Sequence, residues 1–147
     1  MTRAVALCLG ILVGSCTAGC GASPLRSHAM ASRATMVMVE GAGLAIEEST
    51  RAMLDRCPDE DGEVRTRCID EVERVMVPAA AARDAAIAPA HAYRAAVQAT
   101  GGEADPGVID YLNTIAASVA RDVQPLADAL RALGVPVPPI VFPGGAQ

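Results

Sequence analysis

Cys57 and Cys68 are the residues whose type and spacing point most directly to chemistry. They flank a turn between two helical patterns. In an oxidising compartment a pair so placed is expected to form a structural disulfide, tying the end of a first helix to the first turns of a second. A closed loop of about a dozen residues would contribute roughly 3 kcal/mol in the chain-entropy account. Redox or metal chemistry would ask for Cys-x-x-Cys spacing or a nearby histidine, and neither accompanies this pair.

Other constellations are weaker. His28, Met30, Met36 and Met38 combine imidazole and thioethers, a donor set suited to Cu(I). Positions 36 and 38 point about 200° apart on a helix, so these methionines read better as adaptable core filler. The acidic run Asp59-Glu60-Asp61-Gly62-Glu63 invites a calcium reading. Aligning Gly62 with the sixth position of an EF-hand loop puts Cys57 and Cys68 where carboxylates are required, and the match fails. Arg83, near His91, Tyr93 and Arg94, falls on an inward stripe. A buried arginine needs a carboxylate, for which Asp110 or Asp122 is the expected source. No Gly-Lys-Ser/Thr or Gly-x-Ser-x-Gly motif occurs, and two histidines give a Ser-His-Asp triad little support. The sequence therefore assigns no catalytic residue, no cofactor and no metal ligand, and the protein reads as a non-enzyme.

The first twenty residues carry a different kind of signal. Arg3 precedes an apolar run, Ala4 to Val13, of about ten residues, against the roughly 20 that a membrane-spanning helix needs. Small residues then lead to Thr17-Ala18-Gly19-Cys20. This layout is that of a secretory signal peptide, and the cysteine at its end resembles the lipobox of bacterial lipoproteins. The resemblance implies cleavage before Cys20 and acylation of its thiol, although Thr17 stands where the lipobox usually has Leu. Cys16, after Val13-Gly14-Ser15, is the alternative site. Processing at Cys20 discards Cys8 and Cys16 and leaves Cys57 and Cys68 as a pair; processing at Cys16 leaves an odd thiol. The acyl chains would anchor the protein stably. By the same resemblance, Gly21 (or Thr17 for the alternative) is not the Asp that retains such proteins at the inner membrane. The outer membrane, facing the periplasm, is the expected address.

Alanine fills 30 of 147 positions, while the aromatics are Tyr93, Tyr111 and Phe142 alone. β-Sheet architectures favour β-branched and aromatic residues in alternation; alanine-rich helices packed through small side chains fit better. Every basic residue is arginine, and the formal net charge is −5. That sign argues against a nucleic-acid partner and against a basic face for anionic lipid.

The periodicity predicts an all-α, up-down-up bundle of three helices with an extended proline-rich C-terminal tail. After a signal peptide over 1–19 and a tether over 20–24, the bundle domain covers 25–134 and the tail 135–147. The first helix carries the 3–4 spaced series Leu25, Ala29, Ser32, Met36, Val39, Gly43, Ile46, Thr50, Met53, and Cys57-Pro58 stops it. The second carries Ile69, Val72, Met76, Ala79, Arg83, Ala86, Ala90, Tyr93, Val97. Pro78 and Pro89 lie inside it, so it is expected to be long and bent, or broken at Pro78. Thr100-Gly101-Gly102 ends it. Asp105-Pro106 caps the third helix, whose stripe Val108, Leu112, Ile115, Val119, Val123, Leu126, Leu130, Leu133 runs to Gly134 and Pro136. Charge ladders such as Glu47-Arg51-Asp55 and Glu63-Arg67-Glu71 mark solvated faces.

These features imply a lipid-anchored envelope protein with a structural or protein-interaction role. It would contact another envelope component through an Ala-rich helix face or through the tail. A tail without a core of its own could then be deleted with no loss of thermal stability. The other reading is a periplasmic binding protein whose cavity, for a small ligand or metal, is lined by Arg83, Tyr93 and Tyr111. The weakly apolar first helix also allows a homo-oligomer in which dimerisation completes the core.

Overall fold

Three helices, formed where the periodicity expects them, build the fold. The computed structural model describes residues 23–58, 62–102 and 105–144, and among these it contains α1 (Pro24–Leu54), α2 (Glu63–Ala99) and α3 (Pro106–Ala132), with no strand. The signal peptide, both candidate lipidation sites Cys16 and Cys20, and most of the tether lie outside the described residues.

The start of α1 and both ends of α3 have local causes. Ser23 caps α1 by accepting a hydrogen bond from the Arg26 N–H, with Pro24 at the first helical position. The helix thus takes in a proline that the sequence reading left in the tether, and it ends at Leu54, three residues before Cys57. Asp105 caps α3 through a 2.7 Å bond from the Gly107 N–H to its carboxylate. At the far end of α3, the Gly134 N–H donates to Arg131 O and the Val135 N–H to Leu130 O, both at 2.9 Å. This is a Schellman motif, with Gly134 in the left-handed conformation that its φ of 74° requires.

α2 runs unbroken through Pro78 and Pro89. Each proline removes one N–H from the helical ladder. The carbonyls released belong to Arg74 and Ala85, both exposed residues, where water can replace the lost donor.

Cross-helix contacts fix the directions of α1 and α2. His28 meets Tyr93, Gly43 meets Arg83, and Cys57 is bonded to Cys68, so the partner number falls as the α1 number rises. All three helices pack on one another, as an up-down-up bundle requires. The expected stripes of α2 and α3 are the observed ones: Val72, Met76, Ala79, Ala86, Ala90 and Tyr93 are buried, as are Leu112, Val119, Val123, Leu126 and Leu130.

The buried face of α1 differs from the expected series. It keeps Ser32, Met36, Val39 and Ile46 of that series and adds His28, Ala31, Thr35, Met38 and Ala42, whereas Ala29 is exposed. The face is turned by about 45° at 100° per residue. The displacement has a chemical reason. Two of its central members are polar, and each finds a partner inside the bundle: Thr35 donates from Oγ1 to Ala31 O at 2.8 Å, and His28 Nδ1 shares a hydrogen bond with the Tyr93 hydroxyl. Met36 and Met38 are both buried despite their opposed directions, because α1 is covered on two flanks.

The second covering comes from the tail. Val135, Val137, Ile140 and Phe142 are partly buried and packed against the core, while Pro136, Pro138 and Pro139 face solvent. The segment is extended and proline-rich as the sequence implies. It lies back along the bundle and forms one wall of a shallow open cleft with Met38, Val123 and Ala127.

Candidate functional site: a buried histidine–tyrosine pair beneath the tail

Near the start of α1 and the end of α2, two polar rings are sealed inside the bundle. His28 Nδ1 and the Tyr93 hydroxyl share a hydrogen bond of 2.8 Å, and both side chains are 0% exposed. The rings meet edge to face, with centroids 6.1 Å apart. Phe142 of the tail also packs against Tyr93, with ring centroids 6.3 Å apart. Asn113 on α3 completes the surroundings: it acts on His28 against the effect of burial, which still dominates, and its side chain lies close to Gly144. A Cβ added at Gly144 would lie 2.7 Å from Asn113 Oδ1. All three helices and the tail therefore converge on one point.

Burial sets the electrostatics. It lowers the His28 pKa below its ordinary value, an effect that the Asn113 side chain offsets only in part. Burial also pushes the Tyr93 pKa up to about 12. Both shifts favour the neutral form, because a charge in this interior would be poorly solvated. At neutral pH the pair is uncharged and closed to solvent. His28 Nε2 has no partner within hydrogen-bond geometry. The arrangement suits a polar latch that fixes register between helices, and it offers no substrate access.

The opposite end of the bundle is held covalently. Cys57 and Cys68 are bonded, with Cα atoms 5.8 Å apart, inside the range disulfides require. Cys57 also packs against the core.

Other sequence candidates are dispersed. Arg83 does not reach Asp110 or Asp122; it pairs at 3.1 Å with Asp84, its neighbour in sequence. Its guanidinium lies over Gly43, where a Cβ would be 3.1 Å from Nε, and that buried Nε is unpartnered. Only the absence of a side chain at 43 admits the arginine, and its half-exposed position removes the need for an interior carboxylate. Tyr93 is fully buried while Tyr111 is 61% exposed, so Arg83, Tyr93 and Tyr111 do not line a common cavity. His91 and Arg94 are exposed. Met30 is exposed and separated from buried His28, Met36 and Met38. Among the described residues no group of three or more His, Cys, Asp or Glu is placed to hold a metal, and no helix is long and apolar enough to cross a membrane. Of the ladders, Arg51 pairs with Glu47 and Arg67 with Glu63.

Sequence reasoning missed Asn113, Phe142 and Gly144 as parts of the latch. A usable signal existed for Phe142: apolar residues at 135, 137, 140 and 142 are interleaved with prolines, as in a segment with one buried side. The chain matches no known family profile, no curated protein and no solved structure.

Proposed function

We propose that this protein is a lipid-anchored component of a bacterial cell envelope, facing the periplasm from the outer membrane, with a non-enzymatic structural or protein-interaction role. The observation that carries the reading is the N-terminal segment, in which Arg3, a short apolar run and Thr17-Ala18-Gly19 precede Cys20. The Cys57–Cys68 bond fits an exported protein, since disulfides persist in oxidising compartments. A lipid on Cys20 would sit four residues before the start of α1. It would hold the His28–Tyr93 end of the bundle near the bilayer and project the disulfide end about 45 Å along a helix of that length. What such a body offers is surface: exposed faces of Ala-rich helices and the outward prolines of the docked tail.

Labelling with radioactive palmitate, followed by mass spectrometry of the membrane-extracted protein, tests the anchor. The expected result is a chain cleaved before Cys20 bearing acyl mass, lost in Cys20→Ser and retained in Cys16→Ser. An unlabelled protein with an intact leader, recovered from the cytosol, would overturn the reading. For the role itself, crosslinking in cells should yield a specific envelope protein, while a thermal-shift screen against metals and small anions stays silent. A ligand that raises the melting temperature would instead support the binding-protein alternative.

A further inference from the structure

The side of α1 that faces away from the core is apolar. Met30, Val37 and Leu44 are 65%, 47% and 68% exposed, spaced seven apart, with exposed Ala34 and Gly41 between them. The spacing 30-34-37-41-44 alternates four and three, which is the seam of a coiled coil. It lies opposite the buried face, so no other described part of this chain covers it. Flanking the seam on one side, again seven apart, are Arg26, Arg33, Glu40 and Glu47, all exposed. The first half of this row is basic and the second half acidic. The other flank, Ala31, Met38 and Ala45, is uncharged and turned toward the bundle.

We infer that this face is the contact between two copies of the chain, paired antiparallel through α1. In an antiparallel helix pair related by a two-fold axis, residues on one flank meet residues of the same flank in the other copy. The charge row is then self-complementary: Arg33 meets Glu40 of the second copy and Arg26 meets its Glu47, each contact occurring twice. That register centres the two-fold axis between residues 35 and 36. It sets Val37 against Ala34 of the second copy and Met30 against its Gly41, large side chains over small ones, which allows the axes to approach closely. A parallel pair would instead bring each charged flank against the uncharged one and give none of the four charges a partner across the interface. The ends of the row decide between a second copy and an indifferent solvated face, because a merely solvated face has no reason to divide its charges by half. The inference does not depend on the lipid anchor.

Sedimentation of the full chain in non-ionic detergent provides the test, with circular dichroism to confirm that each variant is folded. The wild type is expected to sediment as a dimer. Val37→Glu and Arg33→Glu should each weaken dimerisation by about ten-fold or more, the equivalent of roughly 1.4 kcal/mol. The double exchange Arg33→Glu/Glu40→Arg, which restores opposite charges across the axis, should recover the dimer. A wild-type monomer, a dimer indifferent to Val37→Glu, or a double exchange no better than Arg33→Glu overturns the inference. So does a Val37→Glu variant of unchanged mass with weakened binding to phosphatidylethanolamine/phosphatidylglycerol vesicles, which would assign the seam to a lipid surface.

Discussion

His28 Nδ1 and the Tyr93 hydroxyl stand 2.8 Å apart across 65 residues of sequence, joining the start of α1 to the end of α2 in a site closed to solvent. With the Cys57–Cys68 bond at the opposite end of the same helix pair, this contact clamps α1 and α2 at both ends. A polar contact between two otherwise apolar surfaces specifies register, because sliding either helix would leave both groups buried and unpaired.

Removing the hydroxyl should therefore be costly out of proportion to its size. Tyr93→Phe keeps the ring, and with it the packing against Phe142, but leaves His28 without its partner. Urea denaturation is expected to show a loss of about 1–3 kcal/mol, the cost of an unsatisfied buried polar group. A change below about 0.5 kcal/mol would show that the contact adds nothing to the packing.

The lowered pKa of His28 gives stability a pH dependence of definite sign. Above about 6.5, the ordinary histidine value, folded and unfolded states are both neutral at this position and its contribution is fully present. As pH falls below that value, the unfolded chain takes up a proton that the folded chain resists, and stability declines until the folded pKa is reached. Comparing unfolding free energies at pH 7.5 and 5 for wild type and His28→Gln isolates this effect: the variant should show the smaller difference.

At the other clamp, the Cys57→Ser/Cys68→Ser variant releases a loop with a sequence separation of 11. The chain-entropy account gives a loss of about 3 kcal/mol. Thermal melts of oxidised and reduced wild type should reproduce the gap, with the double variant matching the reduced protein.

Tail truncation distinguishes a docked segment from a free one. Deleting residues 135–147 should lower the thermal midpoint, contrary to what a tail detached from the core would give. Phe142→Ala is expected to lose about 2 kcal/mol, below the range for a fully enclosed phenylalanine because this ring is partly exposed. Gly144→Ala should also destabilise, by about 1–3 kcal/mol, since it combines a φ of 76° with a Cβ placed against Asn113. Val141→Ala, on the exposed side, should change stability by less than about 0.5 kcal/mol.

The helices were legible because their signals are local. Asp105-Pro106 starts α3 and Gly134 ends it through backbone preferences that hold in any surroundings, and the stripes of α2 and α3 are dense enough in Val, Leu and Met to reveal their inward faces. The spacing of Cys57 and Cys68 across a turn likewise brought the thiols within reach once the two helices turned back on each other. α1 was legible in part: Ser32, Met36, Val39 and Ile46 are buried as expected, but His28 and Thr35 were missed, because a polar residue declares itself buried only when its partner is known. That partner, Tyr93, stands 65 residues away. The destination of the tail was hidden for the same reason: prolines fix an extended backbone, but they do not say what that backbone lies against. The sequence alone determined where the chain becomes helical and which faces of α2 and α3 avoid water, since both follow from neighbours a few residues apart. Tertiary structure decided the rotation of α1, the His28–Tyr93 latch and the docking of Phe142, because each depends on whether a distant group arrives to satisfy or cover it.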